Sequence, residues 1–306
     1  MKTSTLRSTR RLRTAKVAAV VAVGVLALTA CGGGSDSDDD GDAEATQATF
    51  EAGTTMETLQ KAGKITIGTK FDQPGFGLKG LSGEPEGFDV EIAKIIAEGL
   101  GIDDDNITWV ETPSAVRETK IEDGEVSLVA ATYTINDERK KRITFAGPYY
   151  EAGQQVMVRS DDSAITGPES FKTNADLKVC SVAGSTPADN ISSYLASKSQ
   201  LTTFDVYSKC ADALRNKQVD AVTTDNVILL GLVGDSDGAF KVVGDTFTKE
   251  PYGIGVKKGD TAFCQYIVDT LKKASQDGDY EEAWTETAGK VEGSTVPTLP
   301  TADACA

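Results

Sequence analysis

An α/β fold with largely parallel sheets is what this 306-residue sequence predicts. Three observations predict it. Short apolar runs that read as strands alternate with longer stretches of helical period. Turn residues separate them at spacings that suit βαβ units. After an N-terminal leader and linker, about 250 residues remain, enough for one large domain or two lobes of ordinary size.

Residues 1–30 hold Lys2, Arg7, Arg10, Arg11, Arg13 and Lys16, then an apolar run from Val17 to Leu28, and no acid. A cationic start before an apolar run too short to span a bilayer is a signal peptide, and it is set apart from the fold. It ends in Leu28, Thr29, Ala30, Cys31, which resembles a lipobox, so Cys31 is expected to be the lipidated first residue of a bacterial lipoprotein. The other reading is a secreted chain with a chance cysteine. Residues 31–56 are mostly Gly, Ser, Asp, Ala and Thr, with almost nothing to bury, and are expected to form a flexible acidic linker.

In the folded part, residues 64–69 (KITIGT) alternate as a strand. Asp89 is placed to cap a helix whose Val90, Ile92, Ala93, Ile95, Ile96 and Leu100 share one side, ended by Gly99 and Gly101. Residues 108–111 read as a strand, 114–122 as a helix and 126–130 as the next strand. A second set begins near Gly153: strand 177–182, helix 187–197 behind a Gly-Ser-Thr-Pro turn, strand 202–205, helix 208–217, and buried strands at 221–223 and 240–243. Two helices follow, 262–276 and 280–287.

The net charge is −16, and loss of the six leader cations makes it 6 units more negative, −22. That sign disfavours nucleic acid and anionic lipid surfaces as partners. There is no histidine, which removes His-based triads, His metal sites and an imidazole pH switch. Beyond Cys31 the cysteines are Cys180, Cys210, Cys264 and Cys305, an even set in an exported chain. Of the three pairings, Cys180 with Cys210 and Cys264 with Cys305 is favoured: the first joins a strand to a nearby helix start, and the second pins the C-terminal tail. With no CxxC spacing a metal site is disfavoured, and no cofactor is expected.

The stretch 126–150, VSLVAATYTINDERKKRITFAGPYY, carries most of the functional signal. An apolar strand runs into Ala131, Thr132 and Thr134 and then Arg139, a set suited to a carboxylate through a guanidinium fork and neutral hydroxyls. Read without that chemistry, it is a strand, a turn and a solvated charge run. Its ATYTINDERKKRITFAGPYY resembles the signature of the amino-acid-binding proteins of ABC importers, the polar amino-acid family of periplasmic-type solute receptors. The likeness extends over about 58–288, and 219–225 (VDAVTTD) is its other specific segment.

That resemblance implies a type II periplasmic-binding-protein fold with a ligand cleft between two lobes. Lobe 1 would be 57–152 plus 250–306 and lobe 2 would be 153–249, with hinge crossings at 151–155 and 248–252. It implies that Arg139, with Thr134, Ser185 and Thr186, holds a ligand α-carboxylate, and that Asp225, Thr132 and Thr134 hold its α-ammonium. On their own, Ser185-Thr186-Pro187 is equally a capping sequence, and Asp225 a cap for the next helix. Lys70 and Arg117 are expected at the ligand side chain, and two cations there favour glutamate or aspartate over a neutral amide, with glutamate the expected ligand and aspartate, glutamine or asparagine the alternatives. Phe71, Phe76, Tyr149 and Tyr252 are candidates for cleft wall or core.

The implied function is a monomeric, lipid-anchored receptor on the extracytoplasmic face of the cell membrane, serving a permease and a separate ATPase. Two other readings are an amino-acid sensor for a membrane signalling partner and an enzyme on the same scaffold. For the enzyme, Asp225 and Asp72 are available acids, but no paired-carboxylate motif accompanies them.

Overall fold

A computed structural model describes residues 48–81 and 83–306. The expected signal peptide, the lipidated Cys31 and the linker up to residue 47 lie outside the described residues. Residues 48–56, assigned by sequence to the linker, are folded onto the domain. The Phe50 ring meets Tyr266 edge-on at 5.4 Å, and Thr55 donates to Asp260 at 2.5 Å. Phe50 is the apolar group the linker reading overlooked.

The first half of the chain runs α1 (Thr55–Ala62), β1 (Ile65–Thr69), β2 (Asp72–Gln73), β3 (Gly77–Leu78), α2 (Phe88–Gly99), β4 (Ile107–Glu111), α3 (Arg117–Glu122), β5 (Leu128–Val129), α4 (Asp137–Lys140) and β6 (Ile143–Ala152). It continues with β7 (Gln154–Arg159), α5 (Glu169–Thr173), β8 (Val179–Val182), α6 (Thr186–Ile191), β9 (Leu201–Phe204), α7 (Tyr207–Arg215), β10 (Ala221–Asp225), α8 (Asn226–Gly234) and β11 (Phe240–Val243). Then β12 (Glu250–Lys257), α9 (Thr261–Asp277) and α10 (Asp279–Glu286) return to the first set. No described helix is long and apolar enough to cross a membrane.

Two five-stranded sheets organise two α/β lobes, in the orders β4-β1-β5-β12-β6 and β11-β7-β10-β8-β9. The expectation of largely parallel sheets needs correction. β1 pairs in parallel with β4 and β5, and β8 with β9 and β10, but β12 is antiparallel to β5 and β6, and β7 to β10 and β11. The antiparallel strands carry the chain from one sheet to the other and back. β6 leads into β7 across Gly153, and β12 returns alongside β6, with Glu250 opposite Ala152 and Tyr252 opposite Tyr150. A strand returning beside its outgoing partner must run the opposite way.

The first lobe's core holds an aromatic cluster. Phe76 meets Phe88, Tyr150, Tyr252 and Trp284 edge-on, and Tyr150 stacks on Trp284 at 5.1 Å. Of the four aromatics proposed as wall or core, Phe76, Tyr149 and Tyr252 are fully buried among these rings, while the partly exposed Phe71 lies under Lys79.

Both disulfides form in the favoured pairing: Cys180 of β8 with Cys210 of α7, and Cys264 of α9 with Cys305 of the tail. The tail lies along β6, where Asp303 N–H donates to Gly147 O at 2.7 Å and Thr144 to Ala306 O at 2.8 Å. Cys264 and Cys305 are separated by 41 residues. Closing a loop of that length removes unfolded-state entropy equivalent to about 4 kcal/mol. The double variant Cys264→Ser/Cys305→Ser is therefore expected to unfold at clearly lower urea concentration; an unchanged midpoint would mean the tail contacts hold without the bond.

Candidate functional site

The candidate residues sit where strands of both sheets end. Lys70 follows β1, Thr132 and Thr134 follow β5, Ser185 and Thr186 follow β8, and Asp225 ends β10. These are the carboxyl ends of α/β strands, where free backbone groups and helix starts collect.

Direct contacts tie the two lobes together there. Thr134 Oγ1 and Thr186 Oγ1 are 3.1 Å apart, Arg139 Nη2 donates to Gly184 O at 3.1 Å, and Tyr252 donates to Asp225 Oδ2 at 2.6 Å. Gly184 is required at its position. Its φ is +74°, and a Cβ there would lie 2.8 Å from Ala115 Cα of the other lobe.

Three cations are buried in this cluster: Lys70 at 2%, Arg117 at 2% and Arg139 at 6% exposure. Arg139 pairs with Glu118 through Nε (3.2 Å), and Nη1 donates to Thr134 O (2.7 Å). A guanidinium has five N–H donors, so one hydrogen on each Nη remains, which is the geometry that grips both oxygens of a carboxylate. Arg117 lies over the Tyr133 ring at 4.0 Å with Arg139 over the same ring at 5.1 Å. Arg117 donates to Ala131 O (2.7 Å), and Lys70 to Ser114 Oγ (2.9 Å). Neither has an ion pair among the described residues.

Burial, then the neighbouring Arg117 charge, lowers the Lys70 ammonium to about 7. Burial, then the Arg139 charge, lowers Arg117 to about 10. On the acidic side, burial and then the Glu250 charge raise Asp225 to about 7. The site therefore strains both charge signs, and a ligand carrying complementary charges relieves the strain.

Several buried polar atoms here find no protein partner among the described residues: Arg117 Nε, Asp225 Oδ1, Thr224 Oγ1, Thr69 Oγ1 and Gln73 Nε2. Such atoms are uncommon in folded proteins and call for a cause. Arg117 Nε offers a donor and Asp225 Oδ1 an acceptor, the complement of a zwitterion.

Two expected contacts are otherwise engaged. Ser185 caps α6: its hydroxyl donates to Val182 O at 2.7 Å and accepts from Ala188 N–H, so no hydroxyl proton remains for a carboxylate. Its backbone N–H also goes to Val182 O. Thr186 gives its proton to Glu250 Oε2 at 2.7 Å, and Glu250 takes further bonds from Asn190 and Thr248. The capping reading thus describes Ser185. Thr186 serves a contact between α6 and the returning strand β12.

Asp89 is a site residue that sequence reasoning misplaced. The cap of α2 is Gly87, and Asp89 is fully buried inside the helix. Its Oδ2 accepts from Thr132 N–H (2.6 Å) and its Oδ1 from Tyr149 (2.5 Å). Thr132 has φ +45°, an uncommon conformation for a β-branched residue. Asp89 holds that turn, while the Thr132 hydroxyl is shared between Gln73 Oε1 and Ala131 O. The Thr132 hydroxyl proton is thereby committed, while the hydroxyl oxygen and the carbonyl can both accept from an ammonium. Local sequence carries no signal for Asp89, because its partners lie 43 and 60 residues away.

Comparison with known proteins adds four findings. The sequence pattern of the bacterial extracellular solute-binding proteins, family 3, matches residues 65–286. The glutamate-binding protein GluB of Corynebacterium efficiens is 40% identical over 287 residues, covering 90% of this chain and 91% of that one. The ABC transporter glutamine-binding protein GlnH of Bacillus subtilis is 39% identical over 231 residues, covering 75% and 83%. Among solved structures, an ancestral arginine-binding protein bound to glutamine superposes with a TM-score of 0.68 at 33% identity, covering 74% of this chain and 99% of that one.

Proposed function

This chain belongs to the bacterial extracellular solute-binding proteins, family 3, and from that premise we propose that it is the receptor of an ABC importer for a free amino acid, glutamate above others. It is anchored through a lipid on Cys31 at the extracytoplasmic face of the membrane, acts as a monomer, and hands its ligand to permease subunits driven by a separate ATPase. Lobe 1 is 57–152 plus 250–306, joined by the segment 48–56 that packs on it, and lobe 2 is 153–249.

In this reading Arg139, with Thr134, takes the α-carboxylate. Asp225 Oδ1, the Thr132 carbonyl and the Thr134 hydroxyl oxygen take the α-ammonium, and Lys70 and Arg117 take the side-chain carboxylate. No bond of the ligand is made or broken. Ligand groups held from both lobes make closure favourable, and a closed form that binds about 10⁴-fold better than the open one moves the population from almost all open to almost all closed.

The observation that carries the glutamate preference is that Lys70 and Arg117 are both buried, each with a single hydrogen bond and no ion pair among the described residues. A second ligand carboxylate neutralises them. Glutamine would leave desolvated positive charge poorly paired. The relatives' names, one for glutamate and one for glutamine, bracket the same pair of ligands.

The test is the variant Arg117→Gln. Its ratio of glutamate to glutamine affinity, measured by calorimetry, is expected to fall at least about tenfold, in line with loss of one charge-assisted contact. A ratio equal to wild type would remove Arg117 from the selectivity pocket.

A further inference from the structure

Asp72 is half-buried on β2, two residues after Lys70, and its carboxylate reaches the other lobe. Its Oδ2 accepts from the backbone N–H of Tyr207 at 2.6 Å and of Ser208 at 3.4 Å, the first two residues of α7. That nine-residue helix has Val206 at its cap position and no side-chain cap of its own. A carboxylate at a helix start satisfies orphan N–H groups and meets the positive end of the helix dipole. Here the cap comes from across the cleft.

A second observation falls on the same seam. Gly231 of α8 faces Pro74, which immediately follows β2, and a Cβ on Gly231 would lie 2.4 Å from Pro74 O. The β2 segment is thus seated on lobe 2 at two points, one polar and one by close backbone approach. The receiving helix is itself fixed, because Cys210 of α7 is bonded to Cys180 of β8 in the second sheet. A pull on the α7 start is therefore transmitted to the second sheet.

We propose that Asp72 is the latch of closure, a positioning residue that touches no ligand but caps α7 when the lobes meet and so sets how long a bound amino acid stays. The proposal rests on the receptor reading above. Because Lys70 and Asp72 share one short segment, engagement of Lys70 with a ligand side chain carries Asp72 to its seat. Recognition of the side chain and retention of the ligand are thereby coupled through Phe71.

The test uses the intact protein with glutamate as probe, in Asp72→Ala and Gly231→Ala. Stopped-flow dissociation is expected to speed up about tenfold in both, the scale of losing one helix cap, with association within about threefold of wild type. Gly231→Ala matters because Asp72 also favours the charged form of Lys70. Faster release in Asp72→Ala with wild-type release in Gly231→Ala would assign the effect to that charge and overturn the latch. Hydrogen exchange of the Tyr207 and Ser208 amides in the glutamate-saturated protein is expected to accelerate in Asp72→Ala, and unchanged exchange overturns the latch. If wild type fails to bind glutamate, the ligand assignment falls, and the same exchange comparison with glutamine bound decides the latch.

Discussion

Glutamate affinity falls at least about a hundredfold when Arg139 is replaced by alanine, the scale expected for losing a buried charge-assisted carboxylate contact. The two remaining Nη hydrogens are the donors at stake, since the other three N–H groups already serve Glu118, Thr134 O and Gly184 O. The same substitution also lowers stability, because the Glu118 side chain, 10% exposed, loses its partner. The two effects separate in the double variant Arg139→Ala/Glu118→Gln. Its melting midpoint is expected to recover while affinity stays low. Affinity recovering together with the midpoint would mean that Arg139 acts only by holding the fold.

Asp225→Asn is expected to weaken glutamate binding by a similar factor while making the free protein more stable. Asparagine keeps an oxygen for Tyr252 but gives the ligand ammonium no charge. The gain in stability follows from the sign of the shift. Asp225 is raised to about 7 by burial and by Glu250, so its ionised form disfavours the fold above pH 7, and a neutral residue removes that term. The shift also predicts the pH dependence. In wild type, binding weakens as pH falls through about 7, because Asp225 takes up a proton. It weakens as pH rises above about 7, because Lys70, lowered by burial and Arg117, loses one. The resulting optimum near neutrality loses its acid limb in Asp225→Asn and keeps its alkaline limb. An unaltered acid limb would place the controlling proton elsewhere, with Asp89, also raised to about 7 by burial, the next residue to vary.

Most of the strands and helices that were legible have clear boundaries and one wet face, as in α2, β4 and α9, while β1, buried at four of its five positions, was legible from its alternation of β-branched residues. What the sequence reading missed is buried on both faces or interrupted by turn residues. β6 is buried at nine of its ten positions and contains Gly147 and Pro148, and β12 contains Pro251, Gly253 and Gly255, so neither alternates nor looks like a strand. α8, NVILLGLVG, is apolar nearly all round and shows no stripe. At the site, the charged residues were visible because Lys70, Arg117, Arg139 and Asp225 stand at strand ends or helix starts. Their bonding was not, because Asp89 with Thr132, Glu250 with Thr186 and Asp72 with Tyr207 are contacts between distant segments.

Calorimetric titration of the purified protein, freed of copurified ligand, with glutamate, aspartate, glutamine and asparagine in turn tests the receptor assignment most directly. Glutamate is expected to bind with a micromolar or lower dissociation constant, about 8 kcal/mol or more, and glutamine at least tenfold more weakly. Glutamine binding at least tenfold tighter than glutamate would contradict the pairing of Lys70 and Arg117 with a ligand carboxylate, and no binding of any of the four would contradict the assignment of the ligand class.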